Sequence, residues 1–260
     1  MRSGRRPLTR LRGQHFLTDA RVAEQMAAAA ELAKGDTVLE VGPGLGALTR
    51  ALLPRAGRVI AVELDPYFAA TLREEFGDAG NLEVVEGDIR TLDVESFTIQ
   101  DSSFKIVSNL PYNITSDFFR ASLTARALPE CIVAMVQEEV ALRIAAPRPP
   151  IGMLTLLCQL HADCSIVRRV PPGAFAPPPK VGSAVVRLEV FDADEFSGRW
   201  GIPRAVAPEV LSFASRAFRN PRKKLPPQYR HALRSQGESD GARPASLSVE
   251  KWVKLWRAVR

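Results

Sequence analysis

The sequence predicts an α/β protein: a mostly parallel sheet covered by helices, followed by a small helical domain. Over the first 145 residues, short β-branched apolar runs alternate with longer segments of helical period. After about Phe196 the β-runs stop and the chain becomes basic and helix-prone. With 46% hydrophobic residues in 260, the chain can fill one large core, or one core plus a small second one.

The elements follow in order. Residues 19–34 are Ala-rich and amphipathic and predict a helix. Thr37–Val41 predicts a strand, followed by a Gly-rich turn and a helix near 45–53. Arg58–Glu63 is a second strand. Pro66 then opens a helix to about Phe76, at a position where its missing N–H costs nothing. Leu82–Glu86 is a third strand, ending at Gly87-Asp88. Residues 105–108 form a fourth, with a helix over about 116–126, and Cys131–Gln137 a fifth, again with a helix after it. Residues 164–170 and Ser183–Val190 read as two late strands that would pair antiparallel at one edge. Between them lies Pro171-Pro172-Gly173-Ala174-Phe175-Ala176-Pro177-Pro178-Pro179-Lys180, too proline-rich for a helix or a sheet interior, hence a rigid loop or linker. The expected division is a basic tail over 1–12, an α/β domain over 13–192 and a small basic helical domain over 193–260. Residues 234–245 are polar and Gly-containing, and a mobile loop is expected there.

Charge is distributed unevenly. The net +6 conceals five Arg and no acid in residues 1–12, and 14 Lys and Arg against four acids in residues 196–260, leaving the body at −9. Basic ends on an acidic body imply a polyanionic partner, nucleic acid first. No apolar run approaches the roughly 18 residues of a membrane helix. The N-terminus lacks the apolar stretch of a secretory signal. Cys131, Cys158 and Cys164 are odd in number, lie in apolar contexts and lack metal spacing. Buried thiols in a reducing, cytoplasmic compartment are expected, with no metal and no membrane association.

Two constellations carry the chemistry. The first is Ser108-Asn109-Leu110-Pro111-Tyr112-Asn113, at the end of an apolar strand. Pro111 fixes its own φ and pushes Leu110 to an extended conformation. The resulting stiff corner offers the Asn109 amide and Leu110 carbonyl as acceptors for an amino group, and the Tyr112 ring as a stacking face. An enzyme that methylates an exocyclic amine needs this set. The second is Glu40-Val41-Gly42-Pro43-Gly44-Leu45-Gly46-Ala47, a strand-to-helix turn where Gly42 and Gly44 let backbone approach a ligand. Alone, this turn also satisfies a dinucleotide-binding pattern. Glu63, ending the second strand, can accept ribose hydroxyls. Asp88, ending the third, can accept from an adenine amino group, although alone it could equally cap a helix. Acids ending the second and third strands, with Asn109 ending the fourth, fit S-adenosylmethionine better than NAD.

Gly13-Gln14-His15-Phe16-Leu17, the turn over 40–49, Asn109-Leu110-Pro111-Tyr112-Asn113-Ile114-Thr115, Met135-Val136-Gln137-Glu138-Glu139-Val140 and Phe175-Ala176-Pro177-Pro178-Pro179-Lys180-Val181-Gly182-Ser183-Ala184-Val185-Val186-Arg187-Leu188 occur in that order. Together they resemble the ribosomal RNA adenine N6,N6-dimethyltransferases, most of all the bacterial branch acting on two adjacent adenines near the 3′ end of small-subunit (16S) rRNA. The similarity is close over about 11–190 and loose beyond. It implies a Rossmann-like class I methyltransferase fold with a seven-stranded sheet. It also implies S-adenosylmethionine contacts from His15, Leu17, Gly42, Gly44, Glu63, Asp88 and Asn109, with residues 13–17 forming part of a lid. Read from its neighbours alone, His15 could equally be a packed or capping residue. Asn109, Leu110, Pro111 and Tyr112 would hold the target base, and Phe175 would be its second aromatic wall. Arg216, Arg219, Arg222, Lys223 and Lys224, a basic run interrupted by Asn220-Pro221, would contact rRNA within a ribosomal subunit or its precursor, the protein acting as a monomer. Alternatives of other kinds are a large-subunit (23S) dimethyltransferase of the macrolide-resistance type, a non-catalytic nucleic-acid-binding relative and an NAD-dependent oxidoreductase. The last lacks a hydride-transfer acid or base near the sheet edge.

Overall fold

The computed structural model describes residues 15–89, 91, 104–239 and 241–260; the expected basic tail over 1–12 and Gly13-Gln14 lie outside these residues. The strands are β1 (Phe16–Leu17), β2 (Thr37–Val41), β3 (Arg58–Glu63), β4 (Leu82–Glu86), β5 (Phe104–Asn109), β6 (Cys131–Gln137), β7 (Ala162–Val170), β8 (Phe175–Ala176) and β9 (Ser183–Val190). The α-helices are α1 (Ala20–Ala29), α2 (Ala47–Leu52), α3 (Pro66–Phe76), α4 (Thr115–Thr124), α5 (Glu138–Ile144), α6 (Met153–His161), α7 (Ala193–Trp200), α8 (Ala207–Phe218), α9 (Arg230–Ser235) and α10 (Val249–Ala258).

Seven strands form one sheet in the order β4-β3-β2-β5-β6-β9-β7, a Rossmann-like α/β architecture. The run from β4 to β6 is parallel throughout. β2, β3, β5 and β6 are apolar on both faces because helices cover both, as crossover connections in a parallel sheet require. The chain order reverses between β2 and β5. Ligand crevices of open α/β sheets form at such a switch, outside the carboxyl ends of the strands.

Contacts divide the chain into two compact units. One comprises the chain up to Ala141 with Ile166–Arg187, and the other Leu142–Ser165 with Leu188–Arg260. The interleaving has a sequence cause. α6 is apolar nearly all round, and Leu156, Cys158, Leu160 and His161 are buried, so it behaves as a core helix. It packs with α8 and α10. In that core Trp252 is fully buried and meets Phe213 edge-on at 6.0 Å and Phe218 at 5.5 Å.

Two boundaries differ from expectation. The helix read over 19–34 ends at Ala29: Glu31 takes a left-handed φ of 49°, and Arg187 donates to the Ala29 carbonyl at 2.7 Å. Asp19 opens the helix by accepting the Arg21 N–H. The segment over 234–245 is not all loop: Arg234 and Ser235 close α9, and Pro244–Ser246 is a turn of 3-10 helix.

Removing the Trp252 ring leaves a cavity that the α6–α8–α10 core cannot fill. Trp252→Ala is expected to cost about 3–5 kcal/mol, measured by urea unfolding followed by far-ultraviolet circular dichroism. A loss below about 1 kcal/mol would contradict this assignment of the core.

Candidate active site

The carboxyl ends of β2, β3 and β5 surround a cavity of about 290 Å3. It is lined by His15, Leu17, Gly42, Gly44, Glu63, Asp88, Asn109, Leu110, Pro111, Tyr112 and Phe175, which sequence reasoning placed at the cofactor or target base.

The turn after β2 is built around positive φ. Gly42 and Gly44 have φ of 67° and 55°, where a side chain costs roughly 1–2 kcal/mol. A Cβ on Gly44 would lie 3.1 Å from the Phe16 ring, so β1 would have to shift by a few tenths of an ångström to stay over the turn. The Gly44 N–H donates to Glu63 Oε2 at 3.0 Å, and the Asp65 N–H donates to Oε1 at 3.0 Å. The Glu63 carboxylate is thereby fixed from two sides at the cavity wall.

Glu40 was not assigned a role from sequence, and the structure places it in the same cavity. The Thr49 hydroxyl donates to Glu40 Oε2 at 2.7 Å, while Oε1 is buried without a hydrogen-bond partner. Burial, with the Glu63 charge nearby, pushes the Glu40 carboxyl up to about 8. Burial also raises Glu63, but its backbone donors oppose this, so Glu63 carries the charge and Glu40 the proton. The signal for Glu40 was present in the sequence as an acid inside an apolar strand, two residues before the first glycine of the turn.

On the other side stands the Asn109–Tyr112 corner. Ser108 Oγ accepts the Val41 N–H at 2.9 Å, tying β5 to β2. The Leu110 N–H reaches Met135 O at 3.2 Å, tying the corner to β6. Pro111 has φ −56° and ψ 130°, and Tyr112 begins a 3-10 turn that leads into α4. Among the described residues no hydrogen bond engages the Asn109 amide or the Leu110 carbonyl, so both remain acceptors for a ligand. Tyr112 and His15 have ring centroids 6.0 Å apart.

The segment after His15 closes the cavity from a third side. β1 pairs antiparallel with β8, placing Leu17 opposite Phe175. His15 Nδ1 lies 2.8 Å from Pro177 O and donates to it. The Thr18 hydroxyl donates to Ala174 O at 3.0 Å. The proline-rich segment is therefore a hydrogen-bonded part of the cavity wall rather than a linker. Phe175 is packed into the core beside Leu17, and only a small part of its ring reaches the cavity.

Asp88 lines the cavity next to Gly87, whose N–H binds Glu63 O at 2.8 Å. Its own carbonyl accepts the Thr91 N–H at 2.9 Å in a turn, and no α-helix starts there among the described residues. Leu64 and Ile89 also line the cavity; neither was singled out from sequence, and Leu64 is 62% exposed, an apolar surface held out toward a ligand.

Arg216, Arg219, Arg222, Lys223 and Lys224 belong to the second unit and are all exposed. Arg216 is in the last turn of α8, its guanidinium 5.9 Å from the Phe213 ring. Asn220-Pro221 forms a turn in which Asn220 O accepts the Lys223 N–H at 3.0 Å. Leu225 ends the run, buried and bonded to Ala242 O at 2.8 Å.

Residues 9–202 match the family described as "Ribosomal RNA adenine dimethylase". The protein belongs to the ribosomal RNA adenine dimethylase family. As a member, it is similar to Ribosomal RNA small subunit methyltransferase A of Dehalococcoides mccartyi (strain CBDB1), with 40% identity over 254 residues, 94% of this chain and 85% of that one. The protein of the same name from Thermosynechococcus vestitus is 37% identical, covering 95% of each chain. Among solved structures, 23S rRNA methyltransferase ErmE is 30% identical with a TM-score of 0.74, over 94% of this chain and 99% of ErmE. A dimethyladenosine transferase from Plasmodium falciparum, 24% identical, shares the fold at a TM-score of 0.73 over 93% of this chain and 96% of that one.

The Glu40 proton has a measurable consequence. Unfolded, Glu40 loses its proton near 4.5; folded, it keeps it to about 8. The stability contributed by the neutral carboxyl is therefore complete below the unfolded value and is lost as pH rises through the folded one. Glu40→Gln stays uncharged, so its melting temperature is expected to gain on the wild type between about pH 5 and pH 9. Parallel melting curves across that range would mean that Glu40 is not held protonated.

Proposed function

We propose that this adenine dimethylase transfers methyl groups from S-adenosylmethionine to N6 of two adjacent adenines near the 3′ end of small-subunit rRNA. The observation that carries the reading is convergence. A glycine cradle with a fixed carboxylate and a corner with two open acceptors beside an aromatic ring share one cavity.

The residues present fit the cofactor. The two left-handed glycines leave room for close backbone approach. Glu63, held by two N–H donors, retains lone pairs for ribose hydroxyls, and Asp88, which lines the same cavity, would accept from an adenine amino group. His15 and Leu17 close the cavity over the turn. When bound, S-adenosylmethionine supplies an electrophilic methyl on a sulfonium, so no strong base is required.

The chain's own work is orientation. The lone pair of adenine N6 is delocalised into the ring and must be turned toward the methyl. The Asn109 carboxamide oxygen and the Leu110 carbonyl accept the two N6–H bonds, and Pro111 holds the corner rigid. Tyr112 stacks on the base, and the part of Phe175 that reaches the cavity bounds the slot. The target adenine enters unstacked, from a single-stranded or flipped position. Once N6 carries the methyl it is cationic and acidic and loses one of its two protons to solvent; a single N6–H then remains, and rotation of the amine presents its lone pair again.

The small helical region over 193–260 is the RNA-binding part of this reading. Arg216, Arg219, Arg222, Lys223 and Lys224 contact phosphates, and the substrate is rRNA within a small ribosomal subunit or its precursor. The protein acts as a monomer in the cytoplasm; no described helix is long and apolar enough to cross a membrane. What favours the small subunit is 37–40% identity to enzymes named for it, over 94–95% of this chain.

Incubation with S-adenosylmethionine and unmethylated small or large subunits, followed by mass spectrometry of the RNA, tests the assignment. Dimethyladenosine is expected in small-subunit RNA; modification confined to the large subunit would overturn the choice of substrate. Separately, replacing Arg222, Lys223 and Lys224 by Gln is expected to weaken RNA binding and flatten its salt dependence by up to roughly three counterions. An unchanged salt slope would remove these residues from the interface.

A further inference from the structure

Tyr112 is held at its hydroxyl as well as along its ring. The phenol oxygen lies 2.7 Å from Ser183 Oγ, across 71 positions of chain. Ser183 is 0% exposed and opens β9, directly after the segment that carries Phe175. Its place is fixed by neighbours. Gly182 O accepts the N–H of Glu138, the first residue of α5, at 3.0 Å. A Cβ on Gly182 would come within 2.8 Å of Glu138 Oε2, and Arg169 Nε holds the other oxygen of that carboxylate at 3.1 Å.

A buried hydroxyl without a partner keeps its full desolvation penalty. Ser183 and Tyr112 each satisfy the other, so the bond persists whether or not RNA is present. The phenol oxygen lies on the axis about which the ring flips. Fixing it leaves the flip free but fixes where that axis points, and with it the tilt of the ring face. An unanchored ring on the exposed side of the corner could swing away about its Cα–Cβ bond.

Building on the proposed transfer to adenine N6, we infer that Ser183 is a positioning residue for the target base. By holding the Tyr112 hydroxyl, it aims the ring on which the adenine stacks. The same contact ties the Asn109–Tyr112 corner to the start of β9, so the two aromatic walls of the slot share one frame.

Two variants and their combination test this. Ser183→Ala removes the anchor, and Tyr112→Phe removes its partner while keeping the ring volume. Each is expected to slow single-turnover methyl transfer to small subunits by roughly three- to tenfold, the range that one neutral hydrogen bond corresponds to. Cofactor affinity is expected to stay within about twofold, because neither change touches the glycine cradle. The double variant is expected to be no slower than either single one. A second readout needs no activity. The chain has three tyrosines, and with 13Cζ-labelled tyrosine Ser183→Ala should move the signal that Tyr112→Phe deletes and leave the other two.

Wild-type transfer rates in Ser183→Ala, additive losses in the double variant, or an unmoved Tyr112 signal would each overturn the inference. Parallel loss of cofactor affinity and rate would also overturn it, by making Ser183 a general structural residue. No transfer by the wild type to small subunits would instead overturn the functional reading, and the tyrosine spectrum would still decide the anchor.

Discussion

The hydrogen bond from the Gly44 N–H to Glu63 Oε2 constrains everything around the cavity. It joins the turn after β2 to the end of β3, and it forms only because the two strands run parallel and in register, Val41 opposite Val62. To present that N–H, the chain must pass through left-handed φ at Gly42, Gly44 and Gly46. The absence of a Cβ at Gly44 then lets Phe16 approach, and β1 closes over the turn. The cost is a second carboxyl, Glu40, buried close to the first. The chain meets it by keeping Glu40 protonated and giving the charge to Glu63, where backbone donors stabilise it.

The Asn109–Tyr112 corner depends on the same sheet. Its strand lies between β2 and β6, and it is bonded to both, through Ser108 Oγ and through the Leu110 N–H. Tyr112 reaches a third strand, β9, through Ser183. A segment that must offer bare acceptors to a ligand cannot use those acceptors to hold itself. Its rigidity comes instead from Pro111, from donors on its backbone and from one side-chain hydroxyl. Tight binding of an amine and stiffness of the corner are thereby carried by different atoms.

Much of this was legible in the sequence because it is local. Runs such as Val-Leu-Glu-Val and Arg-Val-Ile-Ala-Val-Glu read as strands from composition, and glycine and proline mark the turns at Gly42 and Pro111. The ends of elements were less legible where tertiary contacts set them. α1 stops at Ala29, whose carbonyl accepts from Arg187, 158 residues away, a contact that no helix propensity reports. The grouping of α6 with the C-terminal helices was hidden for the same reason, since an apolar helix does not name its partner. Glu40 was passed over because an acid in a strand is read by default as an exposed position. Ser183 stood in the sequence only as one residue of the motif over 175–188, because its own contact is with an oxygen 71 positions earlier in the chain.

If the cavity holds adenine N6 as proposed, it does not by itself choose between ribosomal subunits. An adenine N6 presents the same two N–H bonds and the same ring whichever RNA carries it, and the Asn109–Tyr112 corner reads nothing beyond them. ErmE, named for 23S rRNA, aligns over 94% of this chain. In that case discrimination would come from parts that touch RNA away from the target base. The turn at Asn220-Pro221 displays exposed cations between the end of α8 and a buried Leu225. Phosphate contacts alone carry no sequence information, but on a rigid surface they select the fold of an RNA by where its phosphates lie. In the function proposed above, the cavity would fix the base and the chemistry, and the exposed cations over 216–224 would contribute to the choice of RNA.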